Sequence, residues 1–590
     1  MKHRSLPAVL GAVLAFGLVV QAAPAPPTLT RATLAPATGA ASITPDELKE
    51  WLTYISSDEL EGRQVFTEGL GLAASYIADH LKTWGVQPAG DNGTYFQDVK
   101  VLGVDATSHS SVTVTVNGQS KTFKDGAGIT FPKNEGGKQT LTLNDVEFVG
   151  YGLSLPSMKH DDYKDQDVKG KAVIWLGSAG PQGTDPGLRR LLGARGRNAV
   201  DNEHAAAVIG PPSAGRFGRG RANGPGQAAR GQREGAPAAQ PPRRPSNGSL
   251  GDFTTVQRLD TKVPPQLSAS DEFFDFLFSS APQQYADLKA KADKGDALPE
   301  FDLKGVSMTI TVDADYTVVQ TRLSRNVVGR VEGTDPRMKD TYVLFGAHYD
   351  HIGYRQTPPN ANAGRGFGGQ ARQRPTPRPG DVINNGADDD GSGTVALMAI
   401  AHAFALGPKP KRSVMFVWHT GEEAGLYGSR YFADYPEVPL DEIAAQLNID
   451  MIGRNRDDKP SEENTVYVVG SDRVSTELHN IDEDANASLA KPMTLDYEMN
   501  DPEDPESIYT RSDHYSYAAK GIPIIFYTTG LHKDYHWLTD EVSLIDFPKL
   551  AHIARLVYTT GTRVADLDHF PVRDNKGPRK GKGETGKIGQ

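Results

Sequence analysis

A chain of 590 residues exceeds what one hydrophobic core organises, so two folded units with flexible ends are expected. Apolar residues at 38% and charged ones at 23% suit a soluble globular protein, and no apolar run after residue 25 is long enough to span a bilayer. The net charge of -11 argues against a general nucleic-acid binder, which carries a basic face, and the lack of cysteine removes disulfides, lipid attachment and thiolate metal sites.

The chain opens on Lys2, His3 and Arg4, an apolar stretch from Leu6 to Val20, and the small-residue site Val20-Gln21-Ala22. Together these read as a signal peptide over residues 1–22, which places the mature protein in the periplasm or outside the cell. The alternative is an uncleaved anchor, for which the stretch is short. Residues 23–43, rich in Ala, Pro and Thr, read as a flexible leader. Thr44-Pro45-Asp46-Glu47 is a capped helix start. Leu72, Tyr76, Ile77, Leu81 and Trp84 recur at helical spacing within a second helix over 70–84. Short strands follow at Val112–Val116, Leu141–Val149 and Ala172–Trp175. The stretch 214–248 holds mostly Gly, Arg, Pro, Ala and Gln; it reads as a solvated loop rather than an RNA-binding segment.

From Asn326 apolar runs alternate with loops and helices: Tyr342–Phe345, a helix over Thr394–Ala405, Val414–Trp418, Leu447–Ile449 and Ile524–Tyr527. That alternation predicts an α/β fold, a mostly parallel mixed sheet sandwiched by helices. The stretch 355–380 is long for a loop in a compact domain and reads either as a functional flap or as disordered chain. Asp501–Glu506, with two prolines, reads as a solvated loop, and 568–590 as a disordered tail.

The chemistry lies in where acids and histidines fall. Each apolar run leads into a potential metal ligand: His348 and Asp350, Glu422 and Glu423, Asp450, and Asp534-Tyr535-His536. Asp388-Asp389-Asp390-Gly391-Ser392-Gly393 stands directly before a helix. In an open α/β sheet the carboxyl ends of the strands form one crevice, so five segments deliver oxygen and imidazole donors to a single rim. With only His, Asp and Glu available, zinc is the expected metal, and the donors suffice for two ions about 3.5–4 Å apart sharing a carboxylate.

These stretches resemble the co-catalytic zinc aminopeptidases, whose relatives include glutamate carboxypeptidase and the transferrin receptor. The likeness rests on His348-Tyr349-Asp350-His351, Gly386–Gly393, Gly421–Ser429, Asn448–Gly453 and Tyr535-His536 in that order, with a fainter match over 44–100. The resemblance implies two Zn2+ per chain, with His348 and Asp450 on one, Glu423 and His536 on the other, and Asp389 bridging. Asp388 is the alternative bridge. It further implies Glu422 as general base on a metal-bound water and a cis peptide between Asp389 and Asp390. Asp350 is placed to hold the other ring nitrogen of His348, and Tyr535 to donate to the developing oxyanion. For His351, His419, His514 and His532 a supporting or surface role is expected rather than ligation. Arg511–His514 reads equally as pocket lining or as a turn.

Val149–Gly152, Asp161–Tyr163, Val168–Val173 and Ala205–Ile209 resemble a protease-associated domain. The expected organisation is therefore a discontinuous peptidase domain, 44–119 and 311–567, interrupted by that β-rich insert over 120–310 with its low-complexity loop. The alternative for the insert is a spacer. The function so implied is an exported exopeptidase, an aminopeptidase acting on peptide substrates. A carboxypeptidase of the same fold, a glutaminyl-cyclase-like enzyme with one zinc, and a receptor-like binder are the alternatives. Neither nucleic acid nor a stable membrane span is expected.

Overall fold

The computed structural model describes residues 38–155, 158–184, 188–212, 251–355 and 374–575. The expected signal peptide, most of the leader, the 214–248 loop, most of the 355–380 loop and the tail beyond 575 lie outside the described residues. Among the described residues no helix is long and apolar enough to cross a membrane.

The first long helix, Pro45–Ile55, starts where its cap predicts. The Thr44 hydroxyl accepts from the Glu47 amide at 3.4 Å and donates to the Glu47 carboxylate at 3.0 Å, holding the open end of the helix. Leu48, Trp51, Leu52 and Ile55 then fall on one stripe and are buried. The next helix, Glu68–Trp84, buries the expected Ile77 and Leu81 and packs Tyr76 and Trp84 against the core; only Leu72, 41% exposed, departs from the expected set. Leu70, Ala73, Ala74 and Ala78 complete the inner face, which contacts the helix Gly393–Leu406.

A ten-stranded mixed sheet carries these helices. Across it the order is Phe253–Thr255, Phe96–Ser108, Ala314–Val331, Ser413–His419, Tyr342–His348, Ile443–Ile449, Ile524–Thr528, Thr465–Val469 and Thr494–Asp496, with Gln87–Pro88 on the edge of Ala314–Val331. The four strands from Ser413–His419 to Ile524–Thr528 run parallel, and the pairs flanking them are antiparallel. Every residue of those four strands is buried, because helices cover both faces, so they read as unbroken apolar runs. Alternation sorts their side chains: Val343, Phe345 and Ala347 join one layer with the helices Gly393–Leu406 and Phe547–Ala565, whereas Tyr342 and Leu344 meet Phe432 and Tyr517 in the other. Burial of each such large apolar side chain contributes about 1.5–3 kcal/mol.

A second ten-stranded sheet collects strands from Ser111–Val116 to Val306–Val312 and has its own core, which includes Phe148, Phe273, Phe274 and Phe278. The long antiparallel pair Phe96–Ser108 and Ala314–Val331 leads out to this sheet and back. From it the helix Arg189–Asp201 reaches the other sheet: Arg190 donates to the Glu506 carbonyl at 2.9 Å, and Tyr515 donates to Asp201.

One buried acid gives a stability test. Asp482 accepts the Tyr527 hydroxyl at 2.6 Å and the Thr560 hydroxyl at 2.8 Å on the same oxygen, and burial pushes its carboxyl up to about 6. The folded pKa is above the unfolded one, near ~3.9. The stability this gives is therefore complete below about pH 4 and is lost as pH rises through 6. Asp482→Asn keeps one acceptor oxygen and cannot ionise. It is expected to be more stable than wild type by about 1–3 kcal/mol at pH 8 and indistinguishable at pH 4. Urea unfolding at both values checks this; an equal shift at both would reject it.

Candidate metal centre

The site forms where the parallel strands end. His348 is the last residue of its strand, and Asp450 directly follows Ile443–Ile449. Glu422 and Glu423 stand three and four residues beyond Ser413–His419, and His536 lies on the loop after Ile524–Thr528. Gly421 turns the second of these loops at φ +66, and a Cβ there would meet the Tyr427 ring at 2.9 Å. Parallel strands end on one rim, so residues up to 188 positions apart converge there by topology alone.

Asp389 is the meeting point. Its Oδ1 lies 3.4 Å from His348 Nε2, which is itself 3.7 Å from Asp450 Oδ1. Its Oδ2 lies 3.0 Å from His536 Nε2, which is 2.9 Å from Glu423 Oε2. All five residues expected from the sequence as ligands therefore come together. Two triads, His348–Asp389–Asp450 and His351–Asp389–Glu423, each fit within 4.8 Å and share Asp389. Asp388 is turned the other way: its oxygens meet the Gly453 amide at 2.6 Å and His532 Nε2 at 3.2 Å. The peptide between Asp389 and Asp390 is cis.

The surrounding chain holds this geometry. Asp390 accepts from the amides of His348, Gly393 and Met451 at 3.2, 2.9 and 3.1 Å, tying three loops together. Asp540 accepts the amides of Asp388 and Asp389 at 3.0 and 3.1 Å. Neither role has a signal in local sequence. His348 Nδ1 meets Asp350, as expected, but the nearer atom is the Asp350 carbonyl oxygen at 3.1 Å, with the carboxylate at 3.6 Å. That carboxylate accepts the Glu422 amide at 3.0 Å instead.

His419 and His514, for which a supporting or surface role is expected from the sequence, do not sit on the surface. His419 Nε2 lies 2.8 Å from the Tyr517 hydroxyl, His514 Nε2 lies 2.7 Å from the Tyr509 carbonyl, and both rings are buried. His351 stands inside the site itself, a placement the sequence reading missed although the residue lies in the His348–His351 motif.

Burial and charge compete throughout the site. Burial disfavours the charged His348 imidazole, but Asp450, Asp350 and Asp389 hold its pKa well above the ordinary value. Burial also disfavours the Asp389 carboxylate, yet His348 and His536 hold it well below the usual range. For Glu422 burial prevails, reinforced by Glu423, Asp450 and Asp513, and its carboxyl is pushed well up. The Tyr535 phenol is pushed up to about 12 by burial.

A cleft of about 420 Å³ opens onto this cluster, lined by Asp389, Glu422, Asp450, Tyr535 and His536 and on its apolar side by Met451, Ile508, Phe526 and Leu531. Arg511 and Ser512 also line it, so that segment is cleft wall as well as turn. Arg511 donates to the Tyr535 hydroxyl at 3.1 Å and pairs with Glu506 at 3.1 Å, so the acidic loop 501–506 is tied inward at its end.

The donor set fits cations of zinc size. Ligands on a tetrahedral zinc with bonds of 2.0–2.1 Å stand about 3.3 Å apart, and the contacts here run from 2.9 to 3.8 Å. Asp389 Oδ2 and Glu423 Oε1 are buried at these distances from imidazole nitrogens, yet neither accepts a hydrogen bond. Buried polar atoms in contact without hydrogen-bond geometry are what a shared cation demands.

Residues 326–561 match peptidase family M28. A leucine aminopeptidase 2 of Arthroderma otae is 24% identical over 307 residues, 48% of this chain and 52% of the relative. A leucine aminopeptidase 1 of Ajellomyces capsulatus is 30% identical over 189 residues, 29% of this chain and 45% of the relative. The chain thus spans about half the length of the curated relatives it matches. Among solved structures, an aminopeptidase from Aneurinibacillus sp. strain AM-1 aligns at 16% identity with a TM-score of 0.41, over 92% of this chain and 99% of that one.

Proposed function

We propose that this protein, whose residues 326–561 match peptidase family M28, is a zinc-dependent exopeptidase, an aminopeptidase that releases N-terminal residues from peptides. The observation that carries the reading is the convergence of two candidate ligand triads on Asp389 with Glu422 lining the same cleft. In this reading His348 and Asp450 hold one zinc, Glu423 and His536 the other, and Asp389 both. When bound, such a pair lowers the pKa of a water and polarises the scissile carbonyl.

The protein's own groups do the rest. Glu422, which belongs to neither triad, takes the proton from the attacking water and returns it to the leaving amine. Tyr535, fixed by Arg511, donates to the oxyanion. The wall of Met451, Ile508, Phe526 and Leu531 favours an apolar side chain at the substrate's end. The β-rich insert over 120–310 is read as a protease-associated domain, and residues 1–22 as the signal for export.

A carboxypeptidase is the second reading, favoured by Arg511 in the cleft wall, since a guanidinium pairs well with a free carboxylate. Peptides blocked at either end separate the two. N-acetylation is expected to abolish cleavage of a leucyl peptide and C-terminal amidation to leave it intact; the opposite result would establish the second reading.

Asp389→Ala tests the shared ligand. It removes a donor from both triads and is expected to lower bound zinc from two ions per chain to fewer than one after dialysis. Full occupancy by elemental analysis would reject the bridge.

A further inference from the structure

We propose that His351 is a fourth protein donor to the cation held by Glu423 and His536, so that the two halves of the centre are unequal. The inference rests on the metallopeptidase reading above and extends it to a residue outside the five expected ligands.

His351 is 1% exposed, and its Nδ1 stands 2.9 Å from Glu423 Oε1 and 3.8 Å from Asp389 Oδ2. Despite that closeness, none of these three atoms takes part in a hydrogen bond. An imidazole that merely steadied Glu423 would aim an N–H along the line to the oxygen. Here nitrogen and oxygens crowd a common point, as donors to one ion do. On the other side of the same carboxylate, His536 Nε2 lies 2.9 Å from Glu423 Oε2, and the two imidazole rings stand 5.7 Å apart, edge to face.

The chain fixes the ring in place. The His351 amide donates to the Arg63 carbonyl at 3.1 Å, and Gln64 bridges to the same residue. Gly386 lies against the ring at φ +55, and a Cβ there would fall 2.6 Å from ring carbons Cγ and Cδ2. Only glycine both adopts that backbone and leaves room for the imidazole.

The consequence is an asymmetric pair. Asp389, Glu423, His536 and His351 supply four donors, which complete a tetrahedral zinc. His348, Asp389 and Asp450 supply three, which leaves one position for water or substrate. The four-donor half would hold its ion the more tightly, and the three-donor half would exchange first.

The test is a stepwise competition with a zinc-buffering chelator on the full chain, with cobalt(II) absorption as a second readout. Wild type is expected to release two ions in separate steps. His351→Ala should weaken the tighter step by more than about 100-fold, beyond the 10–100-fold expected of a residue that only supports a ligand. It should also shift the cobalt d–d absorption of that step as an oxygen donor replaces the imidazole. His351→Gln, which preserves bulk and a donor to Glu423, should behave like the alanine variant if His351 ligates. Restoration of affinity to within about 10-fold by Gln, with the cobalt absorption unshifted, would overturn the proposal and leave the two-zinc reading standing. A wild-type protein that holds no zinc at all would remove that reading together with it. Circular dichroism on both variants confirms that fold is retained.

Discussion

Glu422→Gln is expected to lower kcat by about 10²–10⁴-fold while zinc content and KM stay within twofold of wild type. The substitution is nearly isosteric, and the contact that positions the residue is made by its backbone amide, which donates to Asp350 at 3.0 Å whatever the side chain. Glu422 is a member of neither metal triad, so no ligand is lost. What disappears is the ability to accept a proton. Burial, with Glu423, Asp450 and Asp513 adding to it, pushes the Glu422 carboxyl well up, and a carboxyl group can take a proton and give it back. An amide does neither. Steady-state hydrolysis of a leucyl chromogenic substrate beside elemental analysis of the same sample reads both halves. Turnover within fivefold of wild type would strip Glu422 of the role, and loss of zinc would make it a ligand.

The rim of the site was legible in the sequence because burial on both faces writes a strand as an unbroken apolar run. Where such a run stops at His348, Asp450 or the loop to Glu423, the stopping residue faces the crevice. Spacing could not separate Asp388 from Asp389, since adjacent residues differ only in direction; the Gly453 amide and His532 claim one, and His348 and His536 flank the other. His351 escaped for a related reason. Its position three residues past His348 is compatible with several orientations, and the one adopted depends on the space at Gly386 and the anchor at Arg63, both distant in sequence. In the helix Glu68–Trp84 periodicity located both the element and most of its inner face, Ile77 and Leu81 with Tyr76 and Trp84 beside them, and missed only that Leu72 points outward while small Ala73, Ala74 and Ala78 fill the contact. Asp540 holds two amides some 150 residues away, a pairing with no local trace.

Arg63→Leu is expected to cost the protein about 4 kcal/mol or more, enough to threaten folding outright. The side chain is fully buried at a residue with φ +48, and its guanidinium serves four backbone carbonyls. Nε donates to Tyr349 at 2.9 Å, Nη1 to Ile55 and Asn385 at 2.6 and 2.7 Å, and Nη2 to Gly386 at 2.9 Å. These carbonyls belong to the first long helix, the strand end beside His348 and the loop leading to Asp389, so one planar group welds together three segments that carry the site. Leucine strips this donor from the Tyr349, Ile55 and Asn385 carbonyls in a dry interior, at about 1–3 kcal/mol each before any rescue by water, while Gly386 keeps the Gly391 amide at 3.2 Å. Charge contributes too. Burial lowers the Arg63 pKa to about 10, against the pull of Asp350, Asp389, Asp540 and Asp390, so the group is still cationic at pH 7 and offsets part of the negative charge of the ligand cluster. Arg63→Lys separates geometry from charge. Its ammonium keeps the positive charge but offers three donors without the planar fork. It should fold, lose about 2 kcal/mol in urea unfolding, and bind zinc about tenfold more weakly because Tyr349 and Gly386, which flank His348 and His351, are no longer pinned. If Arg63→Lys matched wild type in both measurements, charge alone would account for the residue, and the four-carbonyl clamp would have no part in shaping the centre.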